Sequence, residues 1–342
     1  MTLPTVREAD LADGAERMRV TAFVGEQPAA TPFHLPAWSI AVSTGCRQRA
    51  RYLVAERDHS VIGVLPLTEM RSRLFGRALV SSAFAVGGGI LGDAVEPLAA
   101  AAWDLARRLD IPSVELRGGP VPAAWAIDAT TYVGFARPLA PSDDAELKAI
   151  PKRQRAEVRR AGTFGLTVTQ GRGERDLRDH YRVYAESVRN LGTPVFPLAL
   201  FRAMIAELDA DIVTVHHADA PVASVLSLYA NGTVYPYWGG GTAGSRAVRA
   251  HEHLYFALMR RAYARGCTRF DFGRSKAGTG AAAFKKNWGF VAEPLVYARK
   301  TGGPARELNP LDPKYAMMIA GWKKLPLWLA NRAGPMLARG LG

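Results

Sequence analysis

Apolar and polar positions alternate along residues 51–56 and again along 61–70, separated by the turn-forming residues Arg57-Asp58-His59-Ser60. This spacing predicts a β-hairpin with one face buried. A further strand is expected at 77–82, a tight glycine bend at Gly87-Gly88-Gly89, a helix over 94–109 and a short buried strand over 113–116. Upstream, Pro32 and Pro36 favour an extended entry into a helix over 37–44 that carries Trp38 and Val42 on one face.

The second half repeats this order. Residues 52–67 lie over 213–228 without a gap, matching Val54 with Val215, Asp58 with Asp219, Val64 with Val225 and Leu67 with Leu228. A strand at 233–238, a glycine-rich bend at Gly239-Gly240-Gly241, a helix over 250–265 and a strand over 268–272 then follow. The same elements in the same order point to an internal duplication. A meander followed by a crossover helix in each half predicts an α/β (α+β) fold with a mixed, mostly antiparallel sheet flanked by helices. Between the halves, 143–162 reads as helix interrupted at Pro151, and 174–191 and 197–208 as two more helices. The expected organisation is an N-terminal domain over 1–141, a C-terminal domain with the active site over 142–300, and a tail over 301–342.

With 342 residues and 48% apolar residues, the chain can build two cores. A formal net charge of +13 suits anionic partners: nucleic acid, a phosphorylated substrate or an acidic membrane surface. A generally basic surface fits the same charge. Only Cys46 and Cys267 are present, far apart, so neither a disulfide framework nor a metal site is expected. No signal peptide or membrane-spanning run is read, which suits a cytoplasmic protein. The tail differs: residues 313–342 contain five basic residues and no acid, interleaved with Trp322, Trp328 and several Met and Leu. That mixture suits peripheral contact with an anionic membrane, or docking of the apolar face on the protein itself.

Motifs for a nucleophile elbow, a zincin, a P-loop or a dinucleotide fold are absent. The candidate chemistry gathers in 268–290, TRFDFGRSKAGTGAAAFKKNWGF, read as a strand, a flexible loop at 273–280 and an amphipathic piece. Asp271, Arg274, Lys276, Phe284, Lys285 and Trp288, with Tyr235, Tyr237 and Trp238 from the neighbouring strand, make a cationic, aromatic-lined pocket. Such a pocket holds two substrates and stabilises the oxyanion formed when an amine attacks an acyl carbonyl. Arg155 and Arg159, one helical turn apart, are a candidate phosphate clamp, with a solvated charged face as the alternative.

The runs Phe270-Asp271-Phe272-Gly273-Arg274-Ser275 and Phe284-Lys285-Lys286-Asn287-Trp288-Gly289-Phe290 resemble the FemAB-type transferases. The likeness is to their exosortase- and exopolysaccharide-associated members, and it extends to His34-Leu35-Pro36-Ala37-Trp38, 192–197, 235–240, Asn309-Pro310 and Lys314-Tyr315. The resemblance implies two GNAT-like domains in tandem and transfer of an acyl or aminoacyl group to an amine. It implies that Lys285, beside Phe284, stabilises the transition-state charge, and that Trp38 joins the substrate-binding set. It implies no tightly bound cofactor, with acyl-CoA or aminoacyl-tRNA as co-substrate and tRNA as a candidate partner. The acyl-CoA loop pattern of ordinary GNAT enzymes is absent; Gly239 to Arg246 stands in its place. A non-catalytic module of the same scaffold, binding nucleic acid or an anionic glycan, is the alternative.

Overall fold

The computed structural model describes residues 2–72, 76–303 and 313–341, and their side chains except those of 313–316. The Asn309-Pro310 segment and the Lys314 and Tyr315 side chains therefore lie outside the described residues. In chain order the first elements are β1 (Thr5–Glu8), α1 (Gly14–Glu26), α2 (Pro36–Cys46), β2 (Arg49–Arg57), β3 (Ser60–Ser72), β4 (Gly76–Ser81), β5 (Leu91–Gly92), α3 (Val95–Arg108), β6 (Ser113–Arg117), β7 (Ala126–Asp128) and β8 (Tyr132–Pro138). Then come α4 (Asp143–Ala149), α5 (Lys152–Ala161), β9 (Thr167–Gly171), α6 (Glu174–Leu191), α7 (Leu198–Glu207), β10 (Ala210–His217), β11 (Ala220–Ala230) and β12 (Thr233–Gly241). The last are α8 (Ala250–Ala264), β13 (Arg269–Lys276), α9 (Gly280–Asn287), β14 (Glu293–Pro294), β15 (Tyr297–Thr301), α10 (Pro313–Lys324) and α11 (Leu327–Ala338).

Two mixed sheets result, as the duplicated pattern predicts. One runs β1-β2-β3-β4-β6-β15-β7 with β5 added to β3; the other runs β14-β8-β13-β12-β11-β10-β9. Each contains a single parallel contact among its described pairs, β4 with β6 and β12 with β13. The other ladders are antiparallel.

Two expectations need correction. The domain boundary at 141/142 is crossed in both directions, because β8 belongs to the second sheet and β15 is inserted between β6 and β7 of the first. Strand exchange of this kind depends on non-local pairing, which no local pattern announces. The ungapped hairpin match is also out of register by one residue. The two hairpins turn on Asp58–His59 and Ala218–Asp219, both pairs at positive φ, and their bulges follow Ala55 and Val215. Ala55–Gly63 is therefore equivalent to Val215–Ala223, and a one-residue slip exchanges the faces of every aligned side chain.

The core has separate parts in each half and one part shared between them. The shared part joins α2, β3 and β4 of the first half to α6, α7 and β10 to β12 of the second. At its centre Trp38 stacks on Trp238 at 6.0 Å and donates from its indole to the Ala83 carbonyl at 3.1 Å. Helices α2 and α7 cross at Gly45, where a Cβ would sit 2.8 Å from the Leu200 nitrogen. Glycine is needed there because the two backbones touch. The two halves are consequently packed as one body, and the loop of residues 82–90 in the first half reaches the strand β13 of the second.

Candidate active site

Strands β12 and β13 pair only at Thr233–Arg269 and Val234–Phe270. Beyond that point β12 stays with β11 as far as Gly241, whereas β13 continues against β8 to Lys276. Parallel neighbours that share two rungs and then follow different partners must diverge, and the divergence opens a wedge in the sheet. The segment after Phe272 is thus strand rather than the loop expected at 273–280, with a turn only at 277–279. It carries a register shift between Asp271 and Arg274, a β-bulge in which Gly273 takes φ +67°. Glycine tolerates this left-handed conformation without a side-chain clash.

The bulge is held by two ionisable side chains. Asp271 Oδ1 accepts from the Gly273 N–H at 2.8 Å. Lys285 Nζ donates to the Gly273 carbonyl at 3.2 Å and the Arg274 carbonyl at 2.8 Å. Lys285 is delivered by α9, whose N-terminus is capped by Thr279 accepting from the Ala282 N–H. Its ammonium also lies 5.4 Å from the centre of the Phe135 ring and 5.8 Å from that of Phe272. Burial pushes the lysine down to about 8, against the upward pull of the Asp271 carboxylate. Burial moves Asp271 in the other direction, above its ordinary carboxylate value. A partly exposed ammonium beside a strand bulge can hydrogen-bond a developing oxyanion.

Arg274 follows the bulge. Its guanidinium lies 4.8 Å over the Tyr132 ring and donates from Nη1 to the Tyr297 hydroxyl at 2.8 Å. That hydroxyl donates in turn to the Val86 carbonyl of the first half at 2.8 Å. Among the described ion pairs none involves Arg274, so its charge faces aromatic rings and a phenol rather than a carboxylate. Tyr237 adjoins this group and donates to the Phe84 carbonyl at 2.7 Å. Tyr132 and Tyr297 escaped the sequence reading because they stand on the two exchanged strands.

The structure brings together Asp271, Arg274 and Lys285 at the bulge, with Tyr237 beside Arg274 and Phe284 preceding Lys285 on α9. Phe284 is half-buried and packs on Tyr255 at 5.8 Å, against the core of the second half. Lys276 ends β13, half-buried and opposite Tyr132. Other expected lining residues are core instead. Trp38 and Trp288 are fully buried, and Tyr235 and Trp238 nearly so. Large aromatic faces are worth most when removed from water, so these four support the wedge and do not line it. The phosphate clamp is not formed: the Arg155 guanidinium is folded back onto the Ile150 carbonyl at 3.2 Å, leaving Arg159 exposed alone. Among the described residues the equivalent wedge of the first half has no counterpart of α9, and its Arg117 is tied to Glu115 at 2.8 Å and to the Ala85 carbonyl at 3.2 Å.

Residues 149–286 match the family model of an acetyltransferase (GNAT) domain, a span that includes β12, β13 and Lys285 but not β8 or β15. No curated protein matches the chain by sequence. Among solved structures, FemX superposes with a TM-score of 0.64 at 16% identity, covering 82% of this chain and 95% of that one. The C-terminal domain of a putative lysylphosphatidylglycerol synthetase from Agrobacterium fabrum gives 0.58 at 13% identity, over 86% and 93%. A tandem GNAT protein from the clavulanic acid biosynthesis pathway gives 0.50 at 12% identity, over 89% and 100%. At these identities the likeness is one of fold: two GNAT-like units in tandem, with the matched domain in the second.

Proposed function

We propose that the chain is an N-acyl- or aminoacyltransferase. It moves an acyl or aminoacyl group from an activated donor to an amine of a cell-envelope, lipid or exopolysaccharide precursor. The observation that carries this reading is the position of Lys285: an ammonium depressed to about 8, set against the bulge where β12 and β13 part inside the matched GNAT domain. An amine attacking a thioester or ester carbonyl forms a C–N bond and a tetrahedral oxyanion; the C–S or C–O bond then breaks, and the proton lost from the nitrogen ends on the departing thiol or hydroxyl. Lys285 supplies a fixed positive charge for that oxyanion. Asp271 keeps the bulge in shape and keeps the lysine protonated, which makes it a positioning residue. Arg274, lacking a carboxylate, is the residue for an anionic group of donor or acceptor. Phe284 and Tyr237 flank the approach.

An acyl-CoA donor is supported by the GNAT match; an acyl carrier or an aminoacyl-tRNA offers the same carbonyl chemistry. The deciding experiment incubates the full chain with a panel of acyl-CoAs and with charged tRNAs, together with amino-sugar and aminolipid acceptors, and follows donor loss and product mass. Transfer from at least one donor is expected, falling by about 10²–10³ in Lys285→Ala, as for loss of one oxyanion donor. If no donor is consumed, or if Lys285→Ala matches the parent, the reading fails.

A further inference from the structure

The C-terminal helices invert the usual order of burial. In α11 the small residues Ala330, Gly334 and Ala338, spaced four apart, face the protein. Gly334 rests against Val195, where a Cβ would lie 3.0 Å from that residue's Cγ1. Trp328, Arg332 and Met336 occupy the opposite side by the same spacing, and Trp328 is 69% and Met336 76% exposed. On the preceding helix α10, Met317 is 83% and Met318 53% exposed. Folding that buries alanines and leaves tryptophan and methionines in water has not used its largest apolar groups. The helices are nevertheless fixed. Arg189 donates to the Lys323 carbonyl at 3.3 Å and Gln48 to the Arg339 carbonyl at 2.7 Å. Docking on the protein and presenting an apolar face are thus not alternatives here; opposite sides of the same helices do each.

The end of α11 closes over a cleft of about 620 Å³ lined by Arg47, Arg49, Arg71, Arg339, Met336 and Leu337. The acid that also lines it, Glu69, is buried and already paired with Arg71 and with Arg51. Arg339 Nε is buried without a hydrogen-bond partner among the described residues. The apolar outer face of α11 and the arginine-lined cleft therefore meet at Met336 and Leu337. Residues 313–342 contain no acid.

We infer that this face lies on an anionic bilayer. Trp328, Met317, Met318 and Met336 enter the interfacial region, Lys323, Lys324 and Arg332 meet the charged surface, and the arginine cleft receives a lipid phosphate. Charge complementarity selects this occupant over a second copy of the chain, since pairing two such faces would bring uncompensated positive charge together. Among the described residues no helix is long and apolar enough to cross a membrane, so the contact is peripheral.

The test is sedimentation of the full chain with vesicles of phosphatidylcholine alone or with about one third phosphatidylglycerol. Binding to the anionic vesicles only, weakening with salt, is expected. Trp328→Ser/Met336→Ser should weaken it at least about tenfold through lost apolar insertion. Arg47→Glu/Arg49→Glu should weaken it at least about 25-fold, at roughly fivefold per basic charge lost. All four side chains are exposed, so both variants should melt with the parent. A parent that stays in solution with anionic vesicles overturns the inference, as does equal binding by both variants. Concentration-dependent dimerisation abolished by Trp328→Ser/Met336→Ser, without vesicle binding, overturns it in favour of a second copy.

Discussion

Asp271 and Lys285 hold the same residue of β13 from its two polar groups. The carboxylate takes the Gly273 N–H at 2.8 Å and the ammonium takes the Gly273 carbonyl at 3.2 Å. Phe272 packs into the core of the second half with Phe284, and strand alternation puts Asp271 on the opposite face. The bulge is therefore fixed from both sides of the sheet, and two oppositely charged groups are coupled through it without forming an ion pair. The lysine stays more basic than burial alone would leave it, and the wedge keeps a positive charge at its mouth.

This coupling predicts a pH dependence. Folding lowers the Lys285 value from 10.5 to about 8, so the ammonium form is complete only well below that and is lost as pH rises through it. If the charge stabilises the oxyanion, kcat/KM should fall above about pH 8. Lys285→Arg, charged throughout this range, should lose that falling limb even if its turnover is lower. A limb at the same pH in the arginine variant would show that another group titrates.

Asp271→Asn separates charge from geometry. The amide oxygen still accepts the Gly273 N–H, but the pull that raises the Lys285 value is gone. The falling limb should move below pH 8, with the thermal midpoint nearly unchanged. An unmoved limb would mean that Asp271 braces the strand and has no electrostatic part in the site.

What the sequence showed and what it hid have physical reasons. The hairpins and the helix over 174–191 were legible because each buries one face, so period 2 or 3.6 is written directly into residue choice. The glycines misled. Gly240 sits inside β12, where a Cβ would meet Ser187 of α6 at 2.5 Å, so it reports close packing of a helix on the strand instead of a bend. Lys285 stood out because a lysine beside aromatics is costly without a task. Tyr132 and Tyr297 could not be found from local pattern, since their meeting at Arg274 depends on both exchanged strands. Trp238 and Trp288 are aromatics beside the site and suit either role, and Trp38 enters through the family resemblance; burial places all three in the core.

Gly45 lets α2 and α7 touch where the two halves meet, which gives a prediction with opposite signs at two glycines. Alanine raises helix propensity by up to about 1 kcal/mol over glycine. At Gly25 in α1 nothing lies within 4 Å of the place an added methyl carbon would take, so Gly25→Ala should gain that amount in part. At Gly45 the methyl carbon would lie 2.8 Å from the Leu200 nitrogen and 2.9 Å from its Cβ. Backbone cannot yield as a flexible side chain does, and overpacking of this kind typically costs about 1–3 kcal/mol, more than the propensity gain. Separating α2 from α7 also shifts the loop of residues 82–90, whose Val86 carbonyl accepts from the Tyr297 hydroxyl beside Arg274. Gly45→Ala should therefore melt several degrees lower than the parent and lose activity at temperatures where it remains folded, whereas Gly25→Ala should melt slightly higher with activity intact. Differential scanning calorimetry with parallel kinetics checks both; a Gly45→Ala variant as stable and active as the parent would show that the α2–α7 contact does not set the site.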